Sequence, residues 1–166
     1  MYVNNSTYCA KGDTLIVSYP YNDSVDVFDG GELLERIELK CSKSNGFKGL
    51  TGGSSLDIMA VREHLSMHSR YVETIYDKYR NLYYRTFLVE NKNDIGKIES
   101  HKKWMLNVYD HNFNPVGEFE FDAMEFSAAG LFIFPEGVVI RDFRNFDKNN
   151  PSKTQFELIT WNEIVF

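Results

Sequence analysis

The sequence predicts an all-β fold built from antiparallel four-stranded meanders. Three observations predict it: short β-branched and aromatic runs bounded by Gly, Pro, Asn and Asp, period-two alternation inside several of those runs, and recurrence of one hairpin pattern along the chain. With 13 Phe and 10 Tyr among 166 residues, aromatics reach 15%. That excess suits pleated, half-buried surfaces. A chain of this length buries about two-thirds of the surface its unfolded form exposes, enough for a hydrophobic core.

The first unit covers residues 7–40. Within it, 14–19 (TLIVSY) and 25–29 (VDVFD) flank a turn at Pro20, Tyr21, Asn22 and Asp23, and Gly30-Gly31 leads into 33–39 (LLERIEL), where Leu33, Glu35, Ile37 and Leu39 share one parity. An insertion over 42–70 follows. Its first part holds Gly46, Gly49, Gly52 and Gly53 and reads as an irregular connection; its second, 56–67 (LDIMAVREHLSM), spaces Leu56, Met59 and Ala60 as a helix with Ser54 or Ser55 as N-cap. The second unit, 71–121, contains runs at 71–76 (YVETIY) and 82–89 (LYYRTFLV), a polar loop over 90–101, and a hairpin of 103–110 (KWMLNVYD) with 116–121 (VGEFEF). The third, 124–163, repeats the pattern with 130–134 (GLFIF), 138–143 (VVIRDF) and 155–161 (QFELITW).

Charge and composition exclude several classes of function. Against 18 Lys and Arg stand 24 Asp and Glu, a net charge of -6 with both signs interspersed, which argues against a nucleic-acid or anionic-membrane surface. No run reaches the roughly 18 apolar residues of a membrane span, and residues 1–10 do not read as an export leader. Cys9 and Cys41 lie outside any CxxC pattern and read as small buried residues, able to pair only if their Cα atoms approach within about 7 Å.

The repeat carries the architecture. Val25-Asp26-Val27-Phe28-Asp29 overlays Leu106-Asn107-Val108-Tyr109-Asp110, and the strands ahead of them align Ile16-Val17-Ser18 with Tyr83-Tyr84-Arg85 and Val139-Ile140-Arg141. Meanders that recur in this way bury their faces by stacking on one another, so they read as about three blades of a β-propeller, with a β-sandwich as the alternative. The segments YDKYRNLYYRTF (76–87) and WMLNVYDHNFNPVGEFEF (104–121) resemble an uncharacterised six-bladed, TolB-like propeller family of Bacteroidetes, many members of which look like exported lipoproteins. The resemblance extends over about residues 7–163. It implies the C-terminal half of a longer propeller and a periplasmic or cell-surface location, and it carries no activity. Three blades leave two open faces, to be covered by a second copy of the chain or by the insertion near 42–69.

Ser18, Arg85 and Arg141 form the repeated polar position. If equivalent blade positions converge near a propeller axis, the two guanidinium groups grip a carboxylate or phosphate there, with Tyr83 alongside as an aromatic contact. The plainer reading has each arginine pairing with an acid such as Glu73 or Asp142 to hold the blades in register. Tyr79, Tyr84, Trp104 and Trp161 add aromatic surface of the kind that stacks on sugars or fills a core. His64 and His68 stand at helical zinc spacing but lack an HExxH motif and a third ligand, so no metal is assigned; His101 and His111 read as surface residues. Glu118 and Glu120 share one side of a strand about 7 Å apart, a separation within the glycosidase range that a solvent-facing acidic edge explains without catalysis. GxSxG, P-loop and strand-borne GxGxxG motifs do not occur. The expected function is a non-catalytic binding or interaction module for a small molecule, glycan or peptide, without cofactor or nucleic acid. A glycan- or peptide-directed hydrolase or lyase is the alternative, and a fragment of a larger propeller without independent activity is the third reading.

Overall fold

Four strands, β1 (Thr7–Lys11), β2 (Thr14–Ser18), β3 (Ser24–Asp29) and β4 (Glu32–Glu38), form an antiparallel sheet in the order β1-β2-β3-β4. The computed structural model describes residues 6–48, 57–93, 95–144 and 154–160. β1 escaped the sequence reading because Thr7, Cys9 and Lys11 alternate with Tyr8 and Ala10 without an apolar run; pairing Cys9 with Ile16 turns Cys9 inward. The β3–β4 turn needs its glycines. Gly30 and Gly31 have φ of 56° and 90°, the left-handed pair of a two-residue hairpin loop.

The helix α1 (Ile58–Met67) starts later than the spacing suggested. Its N-cap is Asp57, whose carboxylate accepts from the Met59 N–H at 2.8 Å; Ser54 and Ser55 lie outside the described residues. α1 buries Val61 and His64.

A second four-stranded sheet follows. β5 (Arg70–Asp77) and β6 (Leu82–Leu88) lead into a small hairpin, β7 (Asn91–Lys92) with β8 (Ile98–Glu99), where a polar loop was expected; β9 (Lys103–Tyr109) and β10 (Pro115–Asp122) then complete the order β10-β9-β6-β5. The third sheet joins β11 (Phe132–Ile133), β12 (Gly137–Asp142) and β13 (Gln155–Thr160). Trp161 lies outside the described residues.

The sheets stack face to face, and the middle one is covered on both sides. Tyr84, Trp104, Leu106 and Val108 pack on Val138 and Ile140 of the third sheet, while Tyr83 and Tyr109 pack on Ile16, Val25 and Val27 of the first. This explains why β6 and β9 read as continuous aromatic and β-branched runs instead of alternating ones. Trp104 stacks on Phe121 at 4.4 Å and donates its indole N–H to the Phe126 carbonyl. Burying each large apolar side chain here contributes about 1.5–3 kcal/mol. The all-β expectation holds, in three stacked layers rather than the two of the sandwich alternative. β1 lies against β5, so the first two sheets meet along their first strands.

The two ends of the stack are apolar and open among the described residues. Register places Leu15 and Leu33 opposite Phe28 on the back of the first sheet, with Leu33 53% exposed. On the back of the third sheet Phe132 and Leu158 flank Val139 and Phe156 faces Arg141, with Phe132 and Phe156 51% and 50% exposed.

Candidate functional site

Arg85 sits at the junction of the first two sheets with no solvent exposure. On β6 its parity matches Tyr83, which packs on the first sheet, and Phe87, which packs on Tyr71 and Phe47. Its Nε donates to Ser18 Oγ at 3.1 Å, Nη1 to the carbonyls of Asp23 and Leu39 at 2.9 Å, and Nη2 to the Asn22 carbonyl at 2.7 Å. Beneath the guanidinium lies the Tyr71 ring, 3.3 Å from its centroid, and the Tyr71 hydroxyl donates to Asp23 Oδ1 while accepting from the Cys41 N–H. Carbonyl dipoles and the ring face replace the hydration of this buried cation. Burial pulls its pKa down to about 10, so it stays charged at neutral pH.

Ser18 and Arg85 thus meet, but not as equivalent positions. Ser18 pairs with Val25 in its sheet, whereas Arg85 pairs with Asn107 and Thr86 with Leu106. Overlaying Val25 on Leu106 makes Thr86, not Arg85, the counterpart of Ser18. A slip of one residue turns a side chain to the opposite face, so Ser18 looks forward and Arg85 looks back at it. Arg141 has the parity opposite to Val138 and Ile140, which puts it on the outer face of the third sheet with its guanidinium 5.2 Å from the Phe143 ring. The three repeated positions therefore do not converge on one point. Tyr83 is buried and stacks on Phe113 at 4.8 Å.

The acids named as arginine partners are used differently. Glu73 Oε2 accepts from the N–H groups of Gly130 and Leu131 at 2.8 and 3.2 Å, and Asp142 takes Arg144 in a two-oxygen grip. Sequence reasoning missed Arg80. Held by Asp77 at 2.7 Å, it donates to the carbonyls of Pro135 and Phe134 in the third sheet's turn at 2.7 and 2.8 Å. The signal was Asp-x-x-Arg in the β5–β6 turn, where Asn81 adopts a left-handed φ of 56°. The middle sheet sends one arginine forward and one back, each to turn carbonyls.

His64 and His68 approach to 4.5 Å between rings, but His68 Nδ1 is engaged with Glu90 Oε2 at 2.8 Å and His64 packs on Tyr21. Burial first, and His68 second, hold the His64 pKa low. Among the described residues no three His, Cys, Asp or Glu side chains stand close enough to hold a metal ion. His111 is exposed as expected; His101 instead is half-buried, with Nδ1 at 2.8 Å from the Val89 carbonyl oxygen. Glu118 accepts from the Ser42 N–H at 2.8 Å and Glu120 pairs with Lys103. Both cysteines are free thiols. Clefts beside the junction include one of about 350 Å³ where β1 meets β5, lined by Thr7, Cys9, Glu73 and Thr74, another of about 350 Å³ at Lys40, Asn107 and Tyr109, and one of about 390 Å³ beside the end of α1.

Stacked antiparallel sheets stitched through turn carbonyls make this an all-β protein of repeated meanders. The chain belongs to the family described as "Domain of unknown function (DUF4221)", matched over residues 3–120. It is similar to the crystal structure of a DUF4221 family member from Bacteroides vulgatus, with a TM-score of 0.72 and 25% sequence identity over 93% of this chain and 45% of that one. The chain thus spans less than half the length of that relative. No curated protein matches it. No helix among the described residues is long and apolar enough to cross a membrane.

Proposed function

We propose that the chain is a non-catalytic binding and interaction module, built as about three propeller blades whose open ends are covered by further sheets of the same kind. The observation that carries this reading is the pair of apolar end faces, Leu15, Phe28 and Leu33 at one end and Phe132, Phe156 and Leu158 at the other. They repeat, on the outside of the stack, the type of surface that the middle sheet buries on both sides. A second copy of the chain, joining its first sheet to the third sheet of its partner and the reverse, covers both ends with one two-fold arrangement. Arg85 and Ser18 act in this reading as a lock between blades. Arg141, on an open end face, is the one of the four sequence candidates placed to meet a partner.

Light scattering coupled to size-exclusion chromatography tests it. A mass near twice 19.3 kDa, lowered to that of one chain by Phe156→Glu with Phe132→Glu, supports pairing. A monomer that binds no apolar dye overturns it. The hydrolase or lyase alternative draws little from Glu118 and Glu120, since each is already engaged by Ser42 or Lys103.

A further inference from the structure

The cleft of about 390 Å³ beside the end of α1 brings together Lys43, Lys48 and Lys92 around Glu90, with Phe47 and Val89 as an apolar wall. Its size falls within the range of small-molecule sites. Glu90 lies deep, its side chain 17% exposed, and organises the mouth: Oε1 stands 3.2 Å from Lys92 Nζ and 3.8 Å from Lys48 Nζ, and Oε2 stands 2.8 Å from His68 Nδ1. One carboxylate cannot neutralise three ammonium groups. The lining, three lysines against one carboxylate, is therefore locally cationic in a chain whose net charge is -6.

The wall that carries Lys43 and Lys48 is held in place before any ligand arrives. Cys41 N–H donates to the Tyr71 hydroxyl at 2.9 Å, Ser44 N–H to the Cys41 carbonyl at 2.9 Å, and Phe47 packs on Tyr21, Tyr71 and Phe87. Gly46, with φ of 87°, lets the loop turn at the rim. Pre-set walls lower the entropic cost of binding.

We propose that this cleft binds a small organic anion, an acid group carried on a ring-sized body, with the acid paired to the lysine ammonium groups and the ring laid against Phe47 and Val89. The proposal takes the binding reading further, yet none of the cleft residues lies on either open end face, so it stands or falls separately from pairing of the chains.

The test is titration of the purified chain, followed by amide chemical shifts, with glucuronate, glucose 6-phosphate, benzoate, inorganic phosphate and uncharged glucose. At least one organic acid is expected to give saturable shifts at residues 43–48, 68–69 and 89–92, at least tenfold tighter than glucose. Which acid wins separates carboxylate from phosphate as the group recognised. Lys43→Gln with Lys92→Gln is expected to weaken that binding at least tenfold while the melting temperature holds, because both lysines are exposed, the Lys92 side chain to 56%. Glucose binding as tightly as the acids, inorganic phosphate binding as tightly as any ring-bearing acid, or an unchanged affinity in the double variant would each overturn the proposal. So would the absence of saturable shifts with every probe.

Discussion

The guanidinium of Arg85 lies 3.3 Å from the centre of the Tyr71 ring, and both side chains serve the same turn: Arg85 through the Asn22 and Asp23 carbonyls, Tyr71 through the Asp23 carboxylate. Arg85→Ala takes the donor from the Asn22 carbonyl and leaves the Asp23 carbonyl to the Leu39 N–H and the Leu39 carbonyl to the Tyr109 hydroxyl. The expected loss is about 2–5 kcal/mol in urea denaturation, from the emptied volume and the stranded acceptor. Arg85→Lys keeps the charge but replaces a planar fork by a single ammonium, and is expected to lie between wild type and the alanine variant. A loss under about 1 kcal/mol for the alanine variant would mean that water satisfies these carbonyls.

Arg80 makes the matching contact on the other side of the middle sheet, from a half-open position with its side chain 19% exposed. Arg80→Ala is expected to cost about 1–2 kcal/mol, less than the fully buried arginine, because water can reach part of the vacated site. Amide exchange should rise first over residues 130–143, where its acceptor turn and the Glu73-held loop lie. Uniform acceleration over all three sheets would show that the contact does not act locally.

Gly137 opens β12 where β13 approaches most closely. A Cβ there would overlap the Ile159 carbonyl oxygen, a backbone atom that cannot move without parting the two strands. Gly137→Ala is therefore expected to destabilise by about 1–3 kcal/mol. The readout is exchange of the β12–β13 amides, and unchanged protection there would show that the strands yield without cost.

Alkali should unfold the protein through its buried phenols. Burial, as the largest cause, raises Tyr83 to about 12 and pushes Tyr71, Tyr84 and Tyr109 higher still, from an ordinary 10.0. The folded values exceed the unfolded ones, so the stability these groups contribute is whole below pH 10 and is lost as pH rises through the folded values. The urea midpoint is expected to fall steadily above pH 10. Absorbance at 295 nm should rise in two stages, exposed tyrosines first and the buried four only as the sheets come apart. A single smooth titration centred near 10 would contradict the burial.

Much of this architecture was legible before the fold. Strand positions, the Gly30-Gly31 turn and the hairpin shared by β3 and β9 follow from local periodicity and turn chemistry, which act over a few residues. β1 was harder to see, since its inward residues are Thr7 and Cys9 and only pairing with Ile16 and Ser18 makes them a strand. The helix was legible while its cap was not: Asp57 competes with Ser54 and Ser55 as N-cap, and sequence alone does not rank three good capping residues.

The sequence by itself determined that the chain is β, that its meanders repeat, and that each must bury a face against another. Only the tertiary structure decided what Arg85 does. The oxygens it reaches stand 46 to 67 residues earlier in the chain, and a one-residue offset between repeats turns it away from Arg141 and toward Ser18. Local pattern fixes which residues share a strand face, but which sheet that face meets depends on how the layers stack. The cleft around Glu90 has the same origin: Lys43, Lys48, His68 and Lys92 are unremarkable apart, and become a site when the loop, the helix end and the β6–β7 connection close around one carboxylate.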